Sequence, residues 1–301
     1  MLRKIFPFVV LAACATDKPA SNPDSPATSV VAAPAPAAPT LDAGESMQSL
    51  LNGRVWVRGR GLGAGTPLVL VQGAPGTSSA ALKPLEGIAE DRLVLRYDLL
   101  GTGKSDPVPA GVPVTIARAV EDLERLRREL KIETWHVLGH SYGAAIAAAY
   151  ASANPGRAVS VVLLNPLLPG TVDDGTHANA TSPTFTDSTV TTRFAADLDT
   201  LRTMHGAEVG EALRRDAIDT ASRVFVVDTV VARLRRTKIA TMVVAGGKDS
   251  SGVTSARALK KRMPEVTLKI YPDAGLYTPW EKGDVLITDI RTFLKKQDKP
   301  M

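Results

Sequence analysis

The sequence predicts an α/β protein: a mostly parallel central sheet with helices on both faces and a lid-like insertion between two later strands. Three observations predict it. Short runs apolar on both faces recur at Pro67–Gln72 (PLVLVQ), Val159–Leu164 (VSVVLL) and Thr241–Ala245 (TMVVA), and a strand with no polar face must be covered on both sides. Helical stretches separate such runs, as a layered α/β body requires. The alternation breaks once, over residues 168–225, where the chain turns polar and rich in Thr and Asp, then helical over Ala196–Met204 and Glu208–Ala221.

Taken in order, the folded body begins near Glu45, and Val55, Trp56 and Val57 suggest an early strand. Pro67–Gln72 ends in a Gly/Pro-rich turn, as a buried strand does. Arg92–Asp98 (RLVLRYD) is a further strand. Ile116, Val120, Leu123, Leu126 and Leu130 then recur at three- and four-residue spacings among charges, which predicts an amphipathic helix packed on a sheet. Trp135–Leu138 is a strand and Ala144–Ala153 an alanine-rich helix. After Val159–Leu164, the insertion and Thr241–Ala245, a helical stretch around Ala256–Arg262 leads into the strand Val266–Tyr271. Val285–Phe293 reads as the last helix. The core is thus residues 45–167 and 226–301, with 168–225 inserted.

Ahead of the body, Arg3 and Lys4 precede an apolar run, Ile5–Ala13, with the layout of an export signal. The run is too short to span a bilayer as a helix. It ends Leu11-Ala12-Ala13-Cys14, which resembles a bacterial lipobox. That resemblance implies cleavage after residue 13 and lipidation of Cys14, the only cysteine, with acyl chains as the anchor. Ala15, rather than Asp, implies sorting to the outer membrane, facing the periplasm. An ordinary export signal is the alternative. Residues 14–44, rich in Ala, Pro, Ser and Thr, read as a tether that cannot bury enough surface to order itself.

The 301 residues are 44% hydrophobic and 22% charged, with a net charge of +5 and no dense Lys/Arg block. Nothing there points to nucleic acid. No His/Cys/Asp/Glu group has metal-ligand spacing, and no cofactor is expected. Gly101-Thr102-Gly103-Lys104-Ser105 imitates the end of a phosphate loop, but that motif needs a glycine where Asp98 stands.

Gly139-His140-Ser141-Tyr142-Gly143 carries the chemistry. It matches G-x-S-x-G directly after a strand and before a helix, where a tight turn lifts a serine hydroxyl above the sheet edge. Small neighbours are needed, and Gly139, Gly143 and Ala144 supply them. Ser141 is the candidate nucleophile, and the Tyr142 N–H at the helix start faces a developing oxyanion.

With these residues the sequence resembles the α/β-hydrolase superfamily, and within it the proline-iminopeptidase-like branch, from about residue 50 to 296. Gln72-Gly73-Ala74-Pro75-Gly76 stands where the family has His-Gly-Gly-Pro-Gly. Asp98 to Ser105 matches D-x-x-G-x-G-x-S, Ala245-Gly246-Gly247-Lys248-Asp249 the turn before the acid, and Tyr271-Pro272-Asp273-Ala274-Gly275 the approach to the histidine. The resemblance implies the α/β-hydrolase fold, Asp249 as triad acid, and Ala74 as the second oxyanion-hole donor. It implies a small ester or amide as substrate. Where the family has its histidine this chain has Leu276, which can neither accept nor return a proton.

Four histidines remain: His136 reads as a core residue, His140 as an elbow residue turned away from the nucleophile, and His177 and His205 as lid residues, either surface polar positions or the source of a substitute base. Glu208 and Glu211 also fall in the lid, where the family uses carboxylates to recognise a free amino terminus; a solvated helix face is the alternative. Two functions follow. One is a serine hydrolase with weak or lost activity. The other is a non-catalytic envelope lipoprotein that uses the pocket as a binding module. A purely structural lipoprotein would have no need of the serine turn.

Overall fold

The computed structural model describes residues 44–73, 78–168 and 227–298. The signal segment, Cys14, the tether before Gly44, Ala74 and the insertion beyond Leu168 lie outside the described residues.

Seven strands form one sheet: β1 (Glu45–Leu50), β2 (Gly53–Val71), β3 (Arg92–Tyr97), β4 (Trp135–His140), β5 (Ala158–Leu164), β6 (Ala240–Gly246) and β7 (Thr267–Tyr271). The two early strands read from sequence are parts of one bent ribbon, β2. Its first half runs antiparallel to β3, with Val57 opposite Tyr97 and Arg60 opposite Val94. Past Gly61–Gly65, Leu68 stands opposite Val94 and Leu70 opposite Arg96. Both numbers now rise together, so β3 lies between the two halves of β2. A Cβ on Gly61 would come within 2.4 Å of the Ala89 carbonyl oxygen, so the bend needs glycine. The second half of β2 pairs in parallel with β4, and β4, β5, β6 and β7 follow in parallel order.

The central strands face both ways, as their doubly apolar sequences require. In β4 and β5, Val137, Val161 and Leu163 enter one core, beneath α1 (Ile116–Glu129), α2 (Tyr142–Ala153), α3 (Val227–Thr237) and α4 (Ser250–Arg262). Leu138, Val162 and Leu164 enter the other. There they meet a 3-10 helix (Ser79–Glu90) and α6 (Gly283–Lys295), which follows the short α5 (Thr278–Glu281). Leu82, Leu85, Leu286 and Ile290 are fully buried on that side, each stabilising the fold by roughly 1.5–3 kcal/mol relative to exposure.

Three elements went unread in the sequence. β1 is an edge strand that alternates half-buried with exposed residues and places only Leu50 in the core. The 3-10 helix contains Pro84, which breaks the helical period. α3 directly follows the insertion. Among the described residues no helix is long and apolar enough to cross a membrane.

Below the sheet, the N-terminal ends of the strands share one buried polar network. The Asp298 carboxylate accepts from the Thr66 N–H (3.3 Å), both terminal nitrogens of Arg92 (2.9 and 3.3 Å) and His136 Nε2 (3.0 Å). His136 Nδ1 lies 2.8 Å from the Ser160 hydroxyl. His136 is therefore buried as expected, but in a polar setting.

Candidate active site

β4 ends at His140, Ser141 takes a left-handed φ of 52° with ψ of −119°, and α2 begins at Tyr142. This is a strained conformation for a residue with a Cβ, and it is held from both sides. The Ser141 N–H donates to the Leu164 carbonyl (2.9 Å), and the Ser141 carbonyl accepts from the N–H groups of Ala144 (3.0 Å) and Leu167 (3.1 Å). The glycines are required by contact. A Cβ on Gly139 would stand 2.1 Å from the Gly143 carbonyl oxygen, and one on Gly143 would stand 2.2 Å from that of Gln72.

The loop at the end of β2 is pressed onto this turn. A Cβ on Gly73 would lie 2.4 Å from His140 Nδ1 and 3.0 Å from Ser141 Cβ. Gln72, where the family has histidine, is buried, and its side-chain amide donates to the Thr102 hydroxyl (3.0 Å). The D-x-x-G-x-G-x-S segment is a brace. Asp98 accepts from the N–H and hydroxyl of Ser79 (both 2.7 Å) and from the Lys104 N–H (2.9 Å). Gly103, at φ +55°, leaves no room for a Cβ against that carboxylate.

Asp249 sits after β6 as the N-cap of α4, its Oδ1 accepting from the Gly252 N–H at 3.0 Å. Its Oδ2 accepts from the Asn165 side-chain amide at 3.0 Å. Asn165 was not singled out in the sequence. It follows β5 at a left-handed φ of 45°, which asparagine tolerates better than most residues. Its amide also donates to the Gly275 carbonyl (3.1 Å), and its oxygen accepts from the Thr278 hydroxyl (2.8 Å). Asn165 therefore joins the acid's turn to the loop that bears Leu276.

That loop is tied down at its backbone. The Gly275 N–H donates to Glu281 Oε2 at 2.6 Å, and the Leu276 carbonyl accepts from His140 Nε2 at 2.8 Å. His140 Nε2 is therefore taken up by the backbone of the residue at the expected base position. Facing a carbonyl, Nε2 carries the proton, while Nδ1 is buried without a partner. Burial pushes the His140 imidazole below the ordinary histidine value, opposed by its bond to Leu276 and by the Asp249 charge. The Leu276 side chain brings no proton acceptor, and among the described residues the Ser141 hydroxyl makes no hydrogen bond, although it is only 7% exposed. His177, His205, Glu208 and Glu211 lie outside the described residues.

The structure thus brings Ser141, Tyr142, Asp249 and Leu276 to the C-terminal end of the sheet, with the elbow residue His140 bonded to Leu276 and with Asn165, Thr278 and Glu281 as partners that motif reading missed. Only Asn165 left a trace in the sequence, as a polar residue directly after a fully apolar strand. A surface groove of about 380 Å³ opens at the opposite end of β6, against the end of α6, and contains none of these groups.

Residues 66–209 match the family model described as the alpha/beta hydrolase fold. A proline iminopeptidase of Heyndrickxia coagulans is 41% identical over 106 residues, 35% of this chain and 37% of that protein. The dihydrolipoyllysine-residue acetyltransferase component of an acetoin cleaving system from Cupriavidus necator is 28% identical over 264 residues, 81% of this chain and 66% of that protein. The chain thus spans less than two thirds of the length of these curated relatives. Among solved structures, a thermophilic esterase from Thermogutta terrifontis superposes with a TM-score of 0.62 at 21% identity, covering 85% of this chain and 100% of that one. A carboxylesterase from Nitrososphaera gargenis gives 0.66 at 18% identity, covering 83% and 100%. The chain has the α/β-hydrolase fold, with esterase, peptidase and acyltransferase relatives.

Proposed function

We propose that the chain is a serine hydrolase of the acyl-transfer type, acting on a small ester or amide, with Ser141 as nucleophile and a turnover attenuated by Leu276. One observation carries this: the Ser141 hydroxyl stands on a strained, fully braced elbow with no proton acceptor bonded to it among the described residues. Asp249 is the acid left from the triad, and the N–H groups of Tyr142 and Ala74 are the oxyanion donors. Loss of a triad member leaves roughly 10³–10⁴-fold acceleration over water from the oxyanion hole and binding alone. The peptidase and esterase names of the relatives support esters and aminoacyl amides as the substrate class.

On the sequence alone, residues 168–225 are proposed as an inserted lid. Residues 1–13 are a signal peptide, Cys14 carries the lipid, and 14–44 tether the body in the envelope, at the outer membrane facing the periplasm. Incorporation of labelled fatty acid, lost in Cys14→Ser, tests the anchor; equal incorporation in both would refute it.

The mechanism is tested with a fluorophosphonate probe and p-nitrophenyl esters on the full chain. Slow labelling and turnover that vanish in Ser141→Ala are expected. Turnover at ordinary enzymatic rates that vanishes in Ser141→Ala would mean a base is present and the attenuation is wrong. The second reading, a binding module with no turnover, is favoured by Asp249 being engaged by Asn165 and Gly252 rather than by a base. It predicts no labelling at all.

A further inference from the structure

α1, α2, α3 and α4 are each followed by a strand of the parallel run β4–β7, so all four helices end where those strands begin, at the edge opposite Ser141. An exposed cation stands at every junction: Lys131 before β4, Arg157 before β5, Lys238 before β6 and Lys261 before β7. Arg235 and Arg236 join them from the last turn of α3. None of the six forms an ion pair among the described residues. The exposed acids at these junctions are fewer: Glu133, Glu265 and Glu129, the last already 3.6 Å from Arg125. Cations in a last helical turn are ordinary, since they complement the helix dipole. Lys131 and Lys238 go beyond that. Each follows its helix at a left-handed φ, 53° and 55°, where glycine is the strain-free residue. The turns match: the Lys131 N–H donates to the Arg128 carbonyl (2.9 Å) and the Lys238 N–H to the Arg235 carbonyl (3.3 Å). Two helices thus carry a charge where glycine would fit with less strain. The described chain also enters the body at this end. β1 starts at Glu45 opposite Arg58, and the Gly44 carbonyl accepts from the Gly59 N–H (2.9 Å), beside the bend of β2.

We propose that this edge docks on an anionic lipid surface, with the Ser141 end turned away from it. Lysine and arginine side chains meet phosphate headgroups there, and each cation within a Debye length strengthens attachment about fivefold. Nucleic acid offers similar phosphates. The lipid is favoured because the chain joins the body at the same end as the cations, and only residues 15–43 separate Gly44 from Cys14. That choice of membrane rests on the anchor proposed above, whereas the row of cations does not. Composition concealed the row, because its members come from four separate stretches and are gathered only by the repeated helix-to-strand crossing.

The test is co-sedimentation of the full chain, at low ionic strength, with vesicles of phosphatidylcholine and with vesicles of equal parts phosphatidylcholine and phosphatidylglycerol. It uses the Cys14→Ser background, so that an acyl chain does not mask the headgroup contribution. A preference for the mixed vesicles is expected. Lys131→Gly with Lys238→Gly should reduce binding to them roughly 25-fold, about fivefold per residue, and leave binding to phosphatidylcholine unchanged. The pair stays folded because glycine suits both turns, and its urea midpoint should be no lower. Lys248→Gln is the control: Lys238 precedes β6 and Lys248, also exposed, follows it at the other end, so the net charge changes equally. Unchanged binding in Lys248→Gln supports the face, whereas a loss equal to that of Lys238→Gly would mean that net charge alone acts and overturns it. No preference for the mixed vesicles overturns it too. Tighter binding to a DNA duplex, lost in the same glycine variants, would overturn the lipid as partner. Fatty-acid labelling of the wild type reads the anchor separately: no incorporation beside an intact preference sinks the anchor and leaves the lipid-binding face standing.

Discussion

His140 Nε2 donates to the Leu276 carbonyl oxygen at 2.8 Å, tying the residue before the candidate nucleophile to the residue standing where a base is expected. The bond requires a neutral or protonated Nε2–H, and the ring is buried. With His136 below the sheet, the protein thus holds two buried imidazoles whose protonation the fold resists.

The first prediction follows from that resistance. Burial lowers His136 from 6.5 to about 4, against the favourable charge of Asp298, and lowers His140 as well. Below pH 6.5 the unfolded chain binds protons that the folded one does not, so stability falls as pH drops and is fully present only above 6.5. His136 alone accounts for roughly 3 kcal/mol between pH 6.5 and 4. Urea melts across that range should show the decline, and His136→Gln should reduce its slope. A flat profile would contradict the burial argument.

Leu276→His should restore Ser141-dependent turnover. The loop at 276 is held by Glu281, Asn165, Thr278 and His140 through backbone atoms of residues 275 and 276, so a new side chain leaves its frame unchanged. Asp249 Oδ2 carries a bond from Asn165 but has a second lone pair for an imidazole N–H. A gain of about 10²-fold or more in kcat/KM for p-nitrophenyl esters is expected. No gain in a folded variant would mean that more than the base has been lost.

How much of this was legible depends on whether a residue's role is local. The central strands could be read because both faces are buried and every position is apolar, as in β5. The elbow could be read because Gly139 is forced by a contact with Gly143, four residues on, inside the motif itself, although Gly143 is forced by the distant end of β2. β1 could not, since an edge strand with one core residue carries no period. Asn165 and Thr278 are polar residues with partners on distant elements, 113 residues apart in the case of their own bond. No spacing rule reaches that far. The bent β2 was split in reading because its glycines look like a terminator, whereas the contacts at Ala89 show them to be a fold in one ribbon.

Asp298 should matter more than its place near the end of the chain suggests. It is the carboxylate partner of Arg92, whose side chain is 1% exposed, and of fully buried His136. Asp298→Ala leaves a guanidinium buried beside Asp91 alone, at a cost of about 3–5 kcal/mol. The double variant Arg92→Met, Asp298→Leu should recover part of that loss, because no charge is then stranded. Differential scanning calorimetry of the three proteins separates the terms; equal losses in the single and double variants would show that packing, not charge, is what Asp298 provides.

Ser141→Gly should make the protein more stable while removing any acyl transfer. The left-handed φ of 52° costs a residue with a Cβ on the order of 1–3 kcal/mol, and glycine relieves it, offset by about 0.5–1 kcal/mol of extra chain entropy in the unfolded state. A net gain of about 1 kcal/mol is expected relative to Ser141→Ala, which loses the hydroxyl but keeps the Cβ. The comparison isolates backbone strain from the loss of a polar group. Gly139→Ala is the opposite control, since its Cβ would meet the Gly143 carbonyl at 2.1 Å, whereas a Cβ on Gly156 meets nothing within 4 Å. Urea midpoints should therefore rank Ser141→Gly above Ser141→Ala and Gly156→Ala far above Gly139→Ala. If Ser141→Gly is no more stable than Ser141→Ala, the elbow stores no strain, and the physical reason for keeping a serine in that turn disappears.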